Sequence, residues 1–366
     1  MVSIETVLAV IAAVWVGAFL VKSLLDLRRR GREPAEQAKT GLSLSLYPLL
    51  LIVRTRSVAG PLDRLAQRAP RFWDAVSRAA VATGFGLMAF AIYVLSSNLA
   101  TYLFRPEQVG GQNIVIPLIV GVTIRLDHLP YLFIAFAVVL ITHEGLHGVI
   151  ARREQLPVKS AGIFLVFVVP GGFVEPDEQA FKAASPEARM RVAAVGSFAN
   201  LVVGFLTVLA IFGLFVPVEA GLIAVQTEPG SRIAVNEVLV EIDGVPVNSY
   251  TVRSEKVTIG QTLRVKTLSG EYVFETNPEV WGRELILGSV VRGLGITQVD
   301  SFLPLRLQFL DPAASYALYR TLYWLQLVSI GVAVFNMLPI HILDGSIVLK
   351  ALLERYIKNP RKIFGI

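Results

Sequence analysis

The sequence predicts a multi-pass α-helical membrane protein of about five to six spans that carries an inserted small β-rich domain. Three observations predict it. Of 366 residues, 54% are hydrophobic and only 17% charged, with a mean hydropathy of +0.61, which lies outside the range of soluble domains. Five apolar stretches, roughly 4–21, 79–104, 130–150, 192–217 and 316–342, approach the ~20 residues a helix needs to cross ~30 Å of hydrocarbon. Between the fourth and the fifth, the texture changes to short β-branched runs broken by turn signals.

The first stretch has Glu5 and no Lys or Arg at its N-terminus and the basic cluster RRRGR after it, the reverse of a signal peptide, so it reads as an uncleaved anchor with its N-terminus outside. A sixth apolar run, GLSLSLYPLLLIV at 41–53, is too short to span. Loop charges test the orientation, because Lys and Arg collect on the cytoplasmic side. Residues 22–78 hold 12 Lys+Arg against 5 Asp+Glu, 105–130 hold 2 against 2, 217–315 hold 8 against 12, and 345–366 hold 5 against 1. The loop 151–191 is nearly balanced at 6 against 5, with Arg152 and Arg153 abutting the span. The alternation places 22–78, 151–191 and the C-terminal segment in the cytoplasm and 217–315 outside. It also accounts for the overall +6, since the basic residues flank apolar spans and need no nucleic-acid partner. His128, beside Pro130 in an outer loop, reads as a surface residue, and Arg320 reads as snorkelling to the outer face.

The third span ends in ITHEGLHGVI, residues 141–150. Ionisable groups at that depth are expensive and mark function. His143 and His147, at i and i+4, share one helix face, and Glu144 follows the first His. Two neutral imidazoles one turn apart bind Zn²⁺, and the Glu is placed to take a proton from the water that the ion activates. In a chain with four His, composition alone yields only about 0.002 chance matches to this spacing. Without any Cys, a metal must be held by N and O ligands. Gly145 and Gly148 read as packing positions on the same helix.

The inserted segment contains LIAVQT, EVLVEI, LRVKTL and YVFET, separated by EPGS, DGVP and LSGE. The order GLIAVQTEPGS then VLVEIDGVPVNS resembles the PDZ modules of membrane proteases, with the helix usual between those strands shortened to RIAVNE. The chain is thereby divided into an N-terminal membrane region 1–129, a catalytic membrane core at 130–217 and 301–366, and a PDZ-like domain at 218–300.

Two protein nitrogens leave a catalytic zinc one protein ligand short. The candidates lie in NMLPIHILDG, 336–345, where Pro339 breaks the last span: His341 and Asp344 are its metal-capable side chains. Counting from Tyr131 puts His143 about 18 Å deep at 1.5 Å per residue. The 24 residues from Arg320 to Asp344 would cover about 36 Å if wholly helical and overshoot the zinc, so unwinding near Pro339 is required.

HExxH in one span and N-x-x-P-x-x-x-x-D-G in a later one resemble the site-2 protease family of intramembrane zinc metalloproteases, in its archaeal and bacterial type with a PDZ-like insertion. VVPGGFVEPDE at 168–178 is similar to that family's loop after the metal helix. VGSFAN at 195–200 stands where the family has A-G-P-x-x-N, with Ser197 in place of the Pro. YPLLLIVRT at 47–55 looks like a membrane-associated strand of archaeal members. The resemblance covers about 130–217 and 316–346. It implies one Zn²⁺ per chain held by His143, His147 and Asp344, Glu144 as general base, and single-span membrane proteins as substrates cut within the bilayer, near its cytoplasmic side. Asn200 and Asn336 are candidates for substrate binding or, equally, for bonds between helices. Two other readings remain open, a zinc-binding but proteolytically silent scaffold presenting the PDZ-like domain, and a metal-ion transporter.

Overall fold

Apolar runs without internal breakers form helices here, and the β-branched runs punctuated by Gly, Pro and Asp form strands. The structure, a computed structural model, describes residues 4–29, 42–47, 50–110, 124–166, 169–307 and 309–356. Helix α1 (Ile4–Arg29) leads to strands β1 (Leu42–Tyr47) and β2 (Leu50–Thr55), then helices α2 (Ala59–Arg68), α3 (Pro70–Phe104) and α4 (Leu129–Arg153). Strands β3 (Val158–Val166) and β4 (Val169–Pro176), the short α5 (Glu178–Ala183) and α6 (Pro186–Leu214) follow. The insertion holds β5 (Gly221–Thr227), β6 (Val238–Ile242), β7 (Val245–Pro246), α7 (Thr251–Ser254), β8 (Lys256–Thr258), β9 (Thr262–Thr267), β10 (Glu271–Glu275), α8 (Pro278–Trp281), β11 (Glu284–Ile286), α9 (Leu287–Gly293) and β12 (Ile296–Phe302). Helices α10 (Pro312–Asn336) and α11 (Asp344–Tyr356) close the described chain.

Among the described residues, four helices are long and apolar enough to cross a membrane: α3, α4 with the turn before it, α6 and α10. The protein is therefore a membrane protein. The stretch expected as a first span is helical over 26 residues. Helix α3 starts nine residues before the apolar run does, with Pro70 in its first turn, where a missing N–H costs nothing.

The chain divides into two compact units, 1–206 with 324–366, and 207–323. In the first unit, the described residues of the short run at 41–53 lie on strands β1 and β2. β1 pairs with β2, β2 with β3 from Leu50↔Val166 to Thr55↔Ala161, and β3 with β4, all antiparallel, in the order β1-β2-β3-β4. Helix α2 packs on α4 at Gly148, where a Cβ would lie 2.8 Å from Leu62. Gly145, in contrast, faces open space, so its expected packing role is not met. The basic end of α4 is tied to its neighbours by ion pairs, Arg152 to Asp63, Arg153 to Asp74 at 2.8 Å and Arg191 of α6 to Glu154 at 2.9 Å. His128 is not on the surface: it is 9% exposed, because Trp324 and Tyr131 pack on its ring, at 5.8 and 6.5 Å between ring centroids, and Asp127 lies 3.7 Å from its Nε2.

The second unit is built on an antiparallel sheet ordered β10-β9-β6-β5-β12, with β7 on β6, over a core that includes Leu222, Leu239, Ile242, Leu263, Leu287 and Val290. The four runs read as strands are β5, β6, β9 and β10. Residues 231–237 form turns and no helix. Strand β12 pairs with β5, Phe302↔Gly221 through Val299↔Ala224, and its polar sequence ITQVDSF gave no strand signal. Its Asp300 explains a second correction. Arg320 does not snorkel: it is 8% exposed, ion-paired with Asp300, with the rings of Tyr316, Tyr319 and Tyr323 at 5.3–5.7 Å. A carboxylate with the Tyr316 hydroxyl donating to it at 2.9 Å offers a better partner than the bilayer edge.

Candidate metal centre

The helical repeat of α4 stacks His143 and His147 on one face, with ring centroids 4.7 Å apart. The second contribution comes from a broken helix. Helix α10 stops at Asn336, three residues before Pro339, and the chain turns irregularly until α11 begins at Asp344. Those seven residues do not add helical rise, which removes the overshoot expected of an unbroken span. A Cβ on Gly345 would run into the Met337 and Leu338 backbone, so the fold back is tight. Asp344 Oδ2 then lies 3.3 Å from His143 Nε2 and 3.2 Å from His147 Nε2, and the three donor atoms fall within 4.8 Å of one another. His341 sits exposed outside this cluster, its carbonyl accepting from the Ser346 hydroxyl at 3.1 Å.

These residues fit a zinc ion. Tetrahedral bonds of about 2.0–2.2 Å separate adjacent donors by roughly 3.3–3.6 Å, close to the two distances seen. Two neutral imidazoles and one carboxylate also leave a net +1 on the ion rather than +2 in a low-dielectric setting. Space is reserved for the rings. Gly196 of α6 lies against both, and a Cβ there would come within 2.7 Å of His143 Cε1. Both imidazoles are gripped from the far side, His147 Nδ1 by the Val192 carbonyl at 2.6 Å and His143 Nδ1 by the Asn200 amide at 2.9 Å. Asn336 lies 2.7 Å from Asp344 Oδ2 and 3.0 Å from His143 Nε2 through its Nδ2. Asn200 is fully buried, and both Asn therefore meet the cluster itself.

Glu144 points elsewhere. Its Oε2 accepts the Val174 N–H of β4 at 3.0 Å. Since N–H and C=O of a strand residue share one side and sides alternate, Val174, Gly172 and Pro170 all turn their backbone groups away from β3, to the free edge of β4. Pro170 costs no ladder bond there. Gly172 packs close, and a Cβ on it would be 3.0 Å from Glu144 Cγ. A cavity of about 610 Å³ joins His143, Glu144, His147 and Asp344 to residues 173–176 of β4. Lys159 lines it as well, and its ammonium, 2.8 Å from Asp177, holds that carboxyl below the usual carboxylate range. The sequence motifs pointed to the side chains; the Val192 carbonyl, the Val174 N–H and the Thr142 hydroxyl near Asn200 were missed, because backbone groups and a common Thr leave no motif.

Two imidazoles and a carboxylate converging between membrane-crossing helices, with a glutamate one residue from the first His, define a centre that resembles the HExxH and Asp zinc site of metallopeptidases. Residues 131–364 match Peptidase family M50, and the chain belongs to that site-2 protease family. It is 29% identical over 225 residues to the uncharacterized protein MJ0971 of Methanocaldococcus jannaschii, a match covering 60% of this chain and 56% of that protein. The aligned segment thus spans little more than half the length of that relative.

Proposed function

We propose that this protein is an intramembrane zinc metalloprotease that hydrolyses peptide bonds in the membrane segments of single-span proteins. The observation that supports it most directly is the Glu144–Val174 hydrogen bond, which puts the general base on the open edge of a strand. His143, His147 and Asp344 are the ligands. Bound Zn²⁺ supplies Lewis acidity, polarising the scissile carbonyl and lowering the pKa of water toward ~7. Glu144 takes the proton from the attacking water as the new C–O bond forms and then delivers it to the leaving amine nitrogen, whereupon the peptide C–N bond breaks. A substrate helix hides its carbonyls in its own hydrogen bonds and must unwind first. Its opened backbone adds to the free edge of β4, where Gly172 offers an N–H and a C=O beside Glu144. Asn336 orients Asp344 and contacts the substrate backbone. The insertion is a PDZ-like module on the outer side that screens substrates, and the catalytic centre lies toward the cytoplasm, as the loop charges favour.

The test is cleavage of single-span substrates by the purified full chain, with chelation, zinc restoration and a Glu144→Gln control. Cleavage should stop on chelation and return with zinc. Glu144→Gln should retain about one zinc per chain and lose at least ~10²-fold in rate, the usual scale for general-base removal. A Glu144→Gln protein that cuts like wild type, or chelation without effect, rejects the mechanism.

A further inference from the structure

We infer that Asn200, with its amide oriented by Thr142, is a positioning residue that selects the metal-binding tautomer of His143. The inference rests on the proposed zinc site and concerns residues to which the motif gives no such role. His143 can ligate through Nε2 only if its ring proton is on Nδ1, because a ring nitrogen that carries a proton has no free lone pair. The partner of Nδ1 is Asn200, completely buried in α6; as placed, its amide turns Nδ2 to His143 Nδ1 at 2.9 Å and Oδ1 to the Thr142 hydroxyl at 3.4 Å, and a half-turn about Cβ–Cγ exchanges the two atoms. An Asn side chain can present either its oxygen, which accepts, or its amino group, which donates. The first choice holds the proton on Nδ1, whereas the second leaves Nδ1 bare, moves the proton to Nε2 and blocks the metal.

Thr142, the residue before His143, decides between the two. Its hydroxyl lies 2.8 Å from the Val138 carbonyl, one turn back on its own helix, and 3.4 Å from the Asn200 amide. A carbonyl can only accept, so the single hydroxyl proton goes to Val138 and the Thr142 oxygen is left as an acceptor. Only the amino group of Asn200 can answer it. The amide then takes the half-turned orientation, with its oxygen on His143, and the chain of donors runs from His143 Nδ1–H to Asn200 Oδ1, from Asn200 Nδ2–H to Thr142 Oγ1, and from Thr142 O–H to Val138 O. In this direction the hydroxyl proton uses the short 2.8 Å contact to Val138 and Nε2 is free, whereas the reverse direction draws that proton to the 3.4 Å contact with Asn200 and puts the ring proton on Nε2. The Val192 carbonyl does the same for His147 without a side chain, since a carbonyl admits only the Nδ1–H form. One ligand is thus set by main chain and the other by a two-residue relay.

The experiment uses the full chain with zinc affinity, read by competition with a chelator, and ¹⁵N spectra of the metal-free histidines. Asn200→Leu keeps the volume and removes the acceptor; it should weaken zinc by about 10- to 100-fold, the range found for lost partners of metal-bound His. Thr142→Val should weaken it in the same direction, and Thr142→Ser, which keeps the hydroxyl, should restore wild-type affinity. The metal-free wild type should show His143 protonated on Nδ1, and Thr142→Val should populate the other tautomer. Zinc affinity within twofold of wild type in Asn200→Leu, equal affinities in the Val and Ser variants of Thr142, or an Nε2-protonated His143 in the wild type each overturn the inference. Should Asn200→Leu not fold, the Thr142 pair decides alone. A wild-type chain that binds no zinc rejects the proposed function instead.

Discussion

Asp344 and His341 stood as rivals for the third ligand position, three residues apart in one short segment. His is the commoner zinc ligand, yet His341 lies outside the group formed by His143, His147 and Asp344. The irregular turn after Asn336 leaves His341 exposed and aims Asp344 between the two imidazoles at 3.2 and 3.3 Å. Asp344→Ala should therefore lose most bound zinc and all cleavage, while His341→Ala keeps the metal and at least partial activity. Zinc content of the two purified variants is the measurement, and the reverse pattern would mean that the segment refolds around the metal. The same residue scale shows why Gly196 belongs in VGSFAN: the rings of His143 and His147 occupy the place of its side chain.

Two elements owe their roles to what they lack. Among the described residues strand β4 has a partner strand on one side only, and its other edge meets Glu144. Val174→Pro deletes one edge N–H while sparing the ladder to β3, as Pro170 does naturally on the same side. Losing a hydrogen bond to a charged group is worth about 1.5–3 kcal/mol. A fall of roughly 10- to 100-fold in kcat/KM with zinc retained is expected, and unchanged kcat/KM would separate the β4 edge from catalysis. Helix α10 carries the opposite case, a charge that lacks access to water. Arg320 is buried with Asp300, so Arg320→Met takes the cation away from a buried carboxylate and should cost about 3–5 kcal/mol. Thermal unfolding of the full chain reads this loss, and adding Asp300→Leu should return most of it. A melting point unmoved by the single change would show that Asp300 finds another partner.

For the whole molecule, the loop charges predict which side of the membrane each segment occupies. A tag near Gly270 should react with a membrane-impermeant reagent in intact cells, and one near Arg30 should not. The opposite pattern overturns the orientation and moves the catalytic centre toward the outer face. Removing 221–296 should alter which substrates are cut yet leave zinc bound, because every proposed ligand lies in the other compact unit. Unchanged selection would reduce the insertion to a spacer.

The chemistry of the centre was legible in the sequence because it depends on side-chain identity at helical spacing. HEGLH on a helix puts two imidazoles on one face wherever that helix packs, and a Pro in NMLPIHILDG breaks a helix in any surroundings. Four of the five expected spans and the strand runs of the insertion were legible for the same reason, since hydropathy and alternation are local. What only the tertiary structure decided is every relation between segments far apart in the chain. The run at 41–53 found β3 more than a hundred residues later, Arg320 found Asp300, and His128 found Trp324. Backbone groups took up the rest, Val174 holding Glu144 and Val192 holding His147. Each residue has the same N–H and C=O, so their roles are invisible until packing brings a side chain to them.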